Sequence, residues 1–255
     1  MSGISLQSSI IYGPILSRRL GRSLGINLMP VNRKVCSFDC VYCQYGGTQE
    51  VLLSPMRSAL PTPMEVFAAV EAALKKPRSI DYLTFSGNGE STIHPDFPEI
   101  VRGVKEIKGK LRPEARLAIL SNSSRVYDPE IAAALRLIDA PMMKLDAGDE
   151  ATFKAINRPT GGLTLEKILE GLGRLPTLMI QSALIDGEVS NIRGSAYEAW
   201  VAALDELRPQ KVHIYSTERP TAESGTKCVP STRLEQIAAE LRDDLGLDAQ
   251  AFWRE

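Results

Sequence analysis

The sequence predicts an α/β fold built as a partial (β/α)6 TIM barrel. Six short apolar runs recur along the chain. Stretches with helical spacing separate them, and small or polar residues follow each run at once. Strands alternating with helices form parallel crossover units that wind right-handedly and keep the helices outside. Six such units leave a barrel open on one side, with its chemistry expected in the loops after the strands.

The first run, Ser23 to Met29, sets Leu24, Ile26 and Leu28 among small residues and stops at Pro30. Thr62-Pro63-Met64-Glu65 then supplies an N-cap, a proline at the first helical position and a capping glutamate ahead of Val66, Phe67, Val70 and Leu74. The second strand is Ile80 to Phe85. A helix over 97–108 follows, with Ile100, Val101, Val104 and Ile107 on one face. Leu117 to Leu120 is the third strand, and Asp128-Pro129-Glu130 opens the next helix with a cap and a proline. Met142 to Leu145 is the fourth strand, with helices after Asp149 and after Thr164. Leu178 to Ile185 is the fifth, and a helix from Ser195 to Leu207 leads to the sixth, Val212 to Tyr215. Thr232 and Glu235 predict a second capping box for a last helix carrying Ile237 and Leu241. One domain over 1–255 is expected, with its core at about 12–219 and a helical extension at 220–255.

Hydrophobic residues at 44% and charged ones at 24% suit a chain that buries a core, and they argue against disorder. No apolar run reaches membrane-spanning length and Met1 to Leu6 begins no signal peptide, so a cytoplasmic setting without a membrane partner is expected. A net charge of −1 offers no global field for nucleic acid, and DNA is not an expected partner. Arg18, Arg19, Arg22, Arg33 and Lys34 form the one basic cluster, expected in solvent or in ion pairs.

Three of the four cysteines, Cys36, Cys40 and Cys43, stand in a C-x3-C-x2-C loop directly after the first strand. Three thiolates on one short loop can converge on a soft metal centre, and iron–sulfur clusters use thiolate ligation. Three ligands for a four-iron cluster leave one iron open to a small molecule. A helical stripe is disfavoured by Gly46, Gly47, Ser37 and Asp39. Zinc would need a fourth ligand at short spacing, and disulfides need pairs and an oxidising compartment.

Polar groups for a bound cofactor are then expected after the other strands. Ser86-Gly87-Asn88-Gly89-Glu90 follows the second, where Gly87 and Gly89 admit a close backbone approach and Glu90 can accept from an ammonium group. Asn122 follows the third within a run of serines. Lys144 and Asp146 end the fourth, with Asp146 suited either to ribose hydroxyls or to capping a helix. Asn191 lies beyond the fifth and Tyr215 closes the sixth.

The cysteine spacing, with an aromatic residue before its last cysteine, resembles the signature of the radical S-adenosylmethionine (SAM) superfamily, whose cores are partial (β/α)6 barrels. The resemblance implies that Cys36, Cys40 and Cys43 ligate a [4Fe–4S] cluster and that SAM occupies its open iron. It implies reductive cleavage of SAM to a 5'-deoxyadenosyl radical that abstracts hydrogen from a substrate. Tyr42 would pack near the adenine, Gly87-Asn88-Gly89-Glu90 would form the glycine-rich SAM motif, and Asn191 would reach the SAM carboxylate or ribose. Arg18-Arg19-Leu20-Gly21-Arg22, Thr84-Phe85-Ser86-Gly87-Asn88-Gly89-Glu90, Lys144-Leu145-Asp146 and Ile156-Asn157-Arg158-Pro159 are similar to the group that includes the wyosine-base-forming tRNA enzymes. A tRNA base is thus one implied substrate, and a flavodoxin or ferredoxin type of one-electron reductant an implied partner. The sequence holds neither the added amino-terminal cysteines of a second cluster nor a flavodoxin-like domain.

Other readings predict different chemistry. A glycyl-radical-type activase would act on a protein, and an iron–sulfur carrier or sensor would need no SAM. Lys144 is a candidate for a Schiff base or for holding a carboxylate. His94 is expected at a helix entry, His213 in the core, and Cys228 as a small buried residue.

Overall fold

The computed structural model describes residues 4–253 of the chain. Eight strands form one sheet in sequence order: β1 (Ile11–Ser17), β2 (Gly21–Ile26), β3 (Tyr82–Phe85), β4 (Arg116–Ser121), β5 (Ala140–Lys144), β6 (Met179–Ala183), β7 (Lys211–Tyr215) and β8 (Ala249–Phe252). β1 pairs antiparallel with β2, and every other neighbouring pair is parallel. Seven helices connect them: α1 (Pro63–Leu74), α2 (Phe97–Leu111), α3 (Pro129–Leu135), α4 (Glu150–Asn157), α5 (Leu165–Gly173), α6 (Gly194–Leu207) and α7 (Ser231–Leu245). The chain is a partial (β/α) barrel, and β2 to β7 are the six strands expected.

Three expectations are corrected. β1 was not foreseen; it is an edge strand that leaves Ile15 and Leu16 exposed. The segment after 219 is helical only in α7, since Thr226–Cys228 pairs with Ile185–Gly187 and β8 extends the main sheet. The second capping box does not form: α7 begins at Ser231 behind Pro230, without a side-chain cap, so Thr232 lies inside the helix. The other caps hold. Thr62 and Glu65 make the reciprocal pair at α1, and the Asp128 side chain accepts from Glu130 N at α3.

Alternation along the strands sorts side chains between two compartments. Ile180, Met143, Val212 and Ile214 pack outward into the main core beneath the helices, and Ser182 accepts from Trp200 of α6. Ala118, Ala140, Met142 and Leu20 form a separate small cluster, with Leu20 supplied by the β1–β2 turn. That turn therefore plugs the bottom of the barrel from within. No helix among the described residues is long and apolar enough to cross a membrane.

Candidate functional site

The 36-residue reach from β2 to α1 carries the cysteine loop, and the loop is pinned on both flanks. On one side Val35 bridges to Gly89, with Val35 N donating to Asn88 O at 3.1 Å. A Cβ at Gly89 would lie 1.6 Å from Val35 O, and one at Gly87 2.5 Å from Asn27 Oδ1, so both glycines admit this approach. On the other side α4 ends in a left-handed Arg158, and its last carbonyls, free of helical partners, accept from the loop. Asp39 N donates to Asn157 O at 3.1 Å and Val41 N to Ile156 O at 3.0 Å.

Each cysteine meets one side-chain nitrogen. Asn122 Nδ2 points at Cys36 Sγ (3.6 Å), Asn157 Nδ2 points at Cys40 Sγ (3.5 Å), and the buried Lys34 ammonium lies in the field of Cys43. Lys34 Nζ also donates to Gly46 O at 2.8 Å. Burial works against the Lys34 charge, but Cys43 and Cys36 more than offset it and raise its pKa. Burial pushes the Cys36 thiol up to about 12, helped by Cys40 and Glu90, and the Cys40 thiol up to about 11, helped by Asp146. Ionising Cys36 and Cys40 there takes a cationic centre, and an iron–sulfur cluster held by these two with Cys43 fits that donor set. Among the described residues no group of three or more His, Cys, Asp or Glu side chains is drawn together around one point as for a single metal ion.

Glu90 is buried beside this loop. Its Oε1 accepts from Thr92 N (2.9 Å), Thr92 Oγ1 (2.7 Å) and Ser121 Oγ (3.0 Å), and its Oε2 from Asn122 N (2.6 Å). Burial raises its pKa, and the four donors pull it back. Oε2 keeps accepting capacity that an ammonium group can use.

Asp146 is the hub of the opposite wall. Tyr42 OH donates to its Oδ2 at 2.5 Å and Asn157 Nδ2 at 2.8 Å. Ala183 N donates to its Oδ1 at 2.7 Å, and Lys144 Nζ lies 3.4 Å away. Asp146 caps no helix; that role at α4 belongs to Asp149, which accepts from Thr152 N. Lys144 Nζ also donates to Tyr215 OH at 2.7 Å and sits 4.8 Å and 5.0 Å from the ring centres of Tyr42 and Tyr215. Burial works against its charge, yet Asp146 and Tyr215 outweigh that and raise its pKa.

Cys36, Cys40, Cys43, Tyr42, Glu90, Asn122, Lys144, Asp146 and Tyr215 thus gather at the carboxyl end of the sheet. Asn88 and Asn191 are placed differently. Both amide donors of Asn88 go to Gln7 O and Pro30 O, and both of Asn191 go to Asp146 O and Ala183 O. Asn157 and Lys34 are the site residues that sequence reasoning missed. In the sequence Asn157 stands out only within the Ile156-Asn157-Arg158-Pro159 motif, and Lys34 adjoins Arg33 in the basic cluster.

His94 sits at a helix entry as expected, its Nδ1 accepting from Asp96 N and its Nε2 donating to Pro61 O. His213 packs on Phe252, 4.8 Å between ring centres. Cys228 is exposed, not buried, which corrects the expectation for it.

Comparison with known proteins bears on the same residues. UPF0026 protein MJ1312 of Methanocaldococcus jannaschii is 33% identical over 249 residues, covering 93% of this chain and 73% of that protein. Among solved structures, Streptococcus suis SuiB bound to S-adenosylmethionine superposes with a TM-score of 0.64 at 12% identity, over 90% of this chain and 50% of that one. TYW1 with a lysine-pyruvate adduct bound superposes with a TM-score of 0.61 at 14% identity, over 88% of this chain and 74% of that one. This chain therefore spans half of the SuiB structure, and at such identities the likeness is one of fold. The model of the Radical SAM superfamily matches residues 34–188, from the lysine that faces the thiols to the loop beyond β6. With the cysteine loop, Glu90 and Asp146 all inside that match, the chain belongs to the radical SAM superfamily.

Proposed function

We propose that this chain is a radical SAM enzyme in which Cys36, Cys40 and Cys43 hold a [4Fe–4S] cluster and the loops after β3 to β6 hold SAM. The single observation that carries this is the three-cysteine loop at the carboxyl end of the sheet, with the Glu90 carboxylate buried beside it. When bound, cluster and SAM supply one-electron cleavage and hydrogen abstraction from an as yet unidentified substrate.

The protein's own part is to orient and to exclude water. Asn122 and Asn157 place an N–H donor against Cys36 and Cys40, and Lys34 sets its charge beside Cys43. Glu90 Oε2 offers an acceptor to the amino group of SAM. Asp146 fixes Tyr42 and Asn157 on the loop side and Lys144 on the lumen side, so one carboxylate ties the cluster loop to β5 and β6. A Schiff base needs a neutral amine, whereas Lys144 is held as an ammonium; its role here is a fixed cation. Asn88 and Asn191 serve as framework, since their donors are spent on backbone. A flavodoxin or ferredoxin type of protein supplies the electron.

A tRNA base is the substrate favoured by the motifs shared with the wyosine-base-forming enzymes and by the TYW1 fold likeness. A peptide or protein substrate, as for an activase, is the second reading, because SuiB has been seen bound to its precursor peptide. Mass analysis of tRNA from a deletion strain separates them: a missing modified base supports the first and unchanged tRNA the second. The cofactor assignment is tested by anaerobic iron–sulfur reconstitution. About four irons per chain and an electron-paramagnetic signal altered by SAM are expected. An iron-free Cys40→Ala protein alongside an equally iron-free wild type would contradict it.

A further inference from the structure

The lumen of the barrel contains a cation that the chemistry above does not use. Arg18 and Arg22 of the β1–β2 region are ion-paired at the surface, to Glu218 and Asp81. Arg19, between them, turns inward. Its Nη1 donates to Gln181 Oε1 at 2.7 Å, and its guanidinium carbon lies 4.7 Å from the centre of the Tyr215 ring. Gln181 faces the lumen, because Ser182 beside it is bonded to Trp200 on the helix side. Leu20, next to Arg19, rests on the lumen floor with Ala118, Ala140 and Met142.

Arg19 is thus a half-buried guanidinium with no carboxylate partner among the described residues. An arginine has five donors and stays protonated, and here Gln181 and Tyr215 are its side-chain neighbours, which leaves donors of the fork for a ligand. Lys144, the second lumen cation, hydrogen-bonds the hydroxyl of the same Tyr215. Asp146 offsets one of these two charges, and its oxygens are already taken by Tyr42, Asn157 and Ala183. Arg19 and Lys144 thus set two cations beside Tyr215 against the one carboxylate of Asp146, an arrangement whose net positive charge is complementary to an anion.

We propose that Arg19, with Lys144 and Tyr215, forms a subsite for an anionic group of the substrate, a carboxylate or a phosphate, bound inside the lumen just below the carboxyl ends of the strands. The fork of Arg19 suits the paired oxygens of either group. This deepens the proposed function and rests on it for the word substrate, but the anion site itself requires neither cluster nor SAM.

The test uses the full chain with its cluster reconstituted, titrated separately with inorganic phosphate and with malonate by isothermal calorimetry. Saturable one-site binding of at least one is expected, and the stronger of the two tells phosphate from carboxylate. Arg19→Met should weaken that binding about tenfold or more, as for a lost charge-assisted bond, and Arg19→Lys by less, since it keeps the charge and loses the fork. Far-ultraviolet circular dichroism and melting of both variants show whether each is folded; if Arg19→Met is not, the Arg19→Lys titration decides.

Absence of saturable binding by the wild type overturns the inference, as does an unweakened affinity in the folded variants. Displacement of the bound anion by saturating SAM also overturns it, by assigning the cation to SAM itself. Cleavage of SAM measured on the same wild-type samples separates the two readings. Cleavage without anion binding removes only this inference, and anion binding without cleavage removes only the reading of the protein as a SAM-cleaving enzyme.

Discussion

Removing the Asp146 carboxylate tests how the cluster loop is held to the barrel. The residue is buried, and it accepts from Tyr42 OH, Asn157 Nδ2 and Ala183 N while facing Lys144 Nζ. Asp146→Ala strands these groups in a low-dielectric interior. An unsatisfied buried polar group costs about 1–3 kcal/mol, and a buried charge that loses its partner about 3–5 kcal/mol. Part of this is recovered, because Asn157 Nδ2 still donates to Tyr42 OH at 3.1 Å and Lys144 still donates to Tyr215 OH. The expected loss is about 4 kcal/mol, a large share of the 5–15 kcal/mol typical of a folded domain. Asp146→Asn keeps one accepting oxygen but turns an NH2 group toward donors, so about 2 kcal/mol is expected. Urea denaturation of the iron-free, reduced chain, followed by circular dichroism, measures both without any contribution from bound iron. A loss under about 1 kcal/mol in Asp146→Ala would refute the hub.

Three further outcomes follow from the same geometry. Gly89→Ala forces a Cβ to 1.6 Å from Val35 O, so the loop must lift from the β3 end; iron uptake on reconstitution should fall several-fold, and full iron content would count against that docking. Lys34→Gln removes the cation beside Cys43, which favours the more oxidised cluster; a redox titration by electron paramagnetic resonance should show a midpoint lower by on the order of 60 mV, one tenfold step for a one-electron couple. Burial, with Arg19 and Lys211 nearby, lowers the His213 pKa from 6.5 to about 4. The unfolded chain therefore binds a proton between these values that the folded chain refuses. The contribution is full above about pH 6.5 and is lost as pH falls toward 4, by about 3 kcal/mol at most. His213→Phe should flatten the stability curve over that window, and an unchanged slope would contradict the assignment.

The six inner strands were legible because each is a short apolar run closed by small polar residues, as a strand buried on both faces must be. β1 was not, since its Gly13-Pro14 step interrupts the run and Ile15 and Leu16 face solvent at a sheet edge. β8 is only Ala-Gln-Ala-Phe, too short to carry a period. Pro230 displaced the cap expected at Thr232, because a helix can begin one residue after a proline whose carbonyl accepts from Arg233 and Leu234.

In the site, Cys36, Cys40, Cys43, Glu90, Asn122 and Asp146 were recognisable from their place after a strand. Asn157 was not, because its meeting with Cys40 spans 117 positions and depends on how α4 ends. Arg19 and Lys34 stand in basic runs whose other members, Arg18, Arg22 and Arg33, do lie in surface ion pairs. Nothing local in the sequence distinguishes the two that turn inward.

The central claim is that the cysteine loop and the strand-end residues serve SAM cleavage. Its most direct measurement is 5'-deoxyadenosine formed by the anaerobically reconstituted protein given dithionite and SAM. Product above a Cys40→Ala control is expected, with a marked fall in Glu90→Ala. A fully iron-loaded wild type that forms no more product than the control would contradict it.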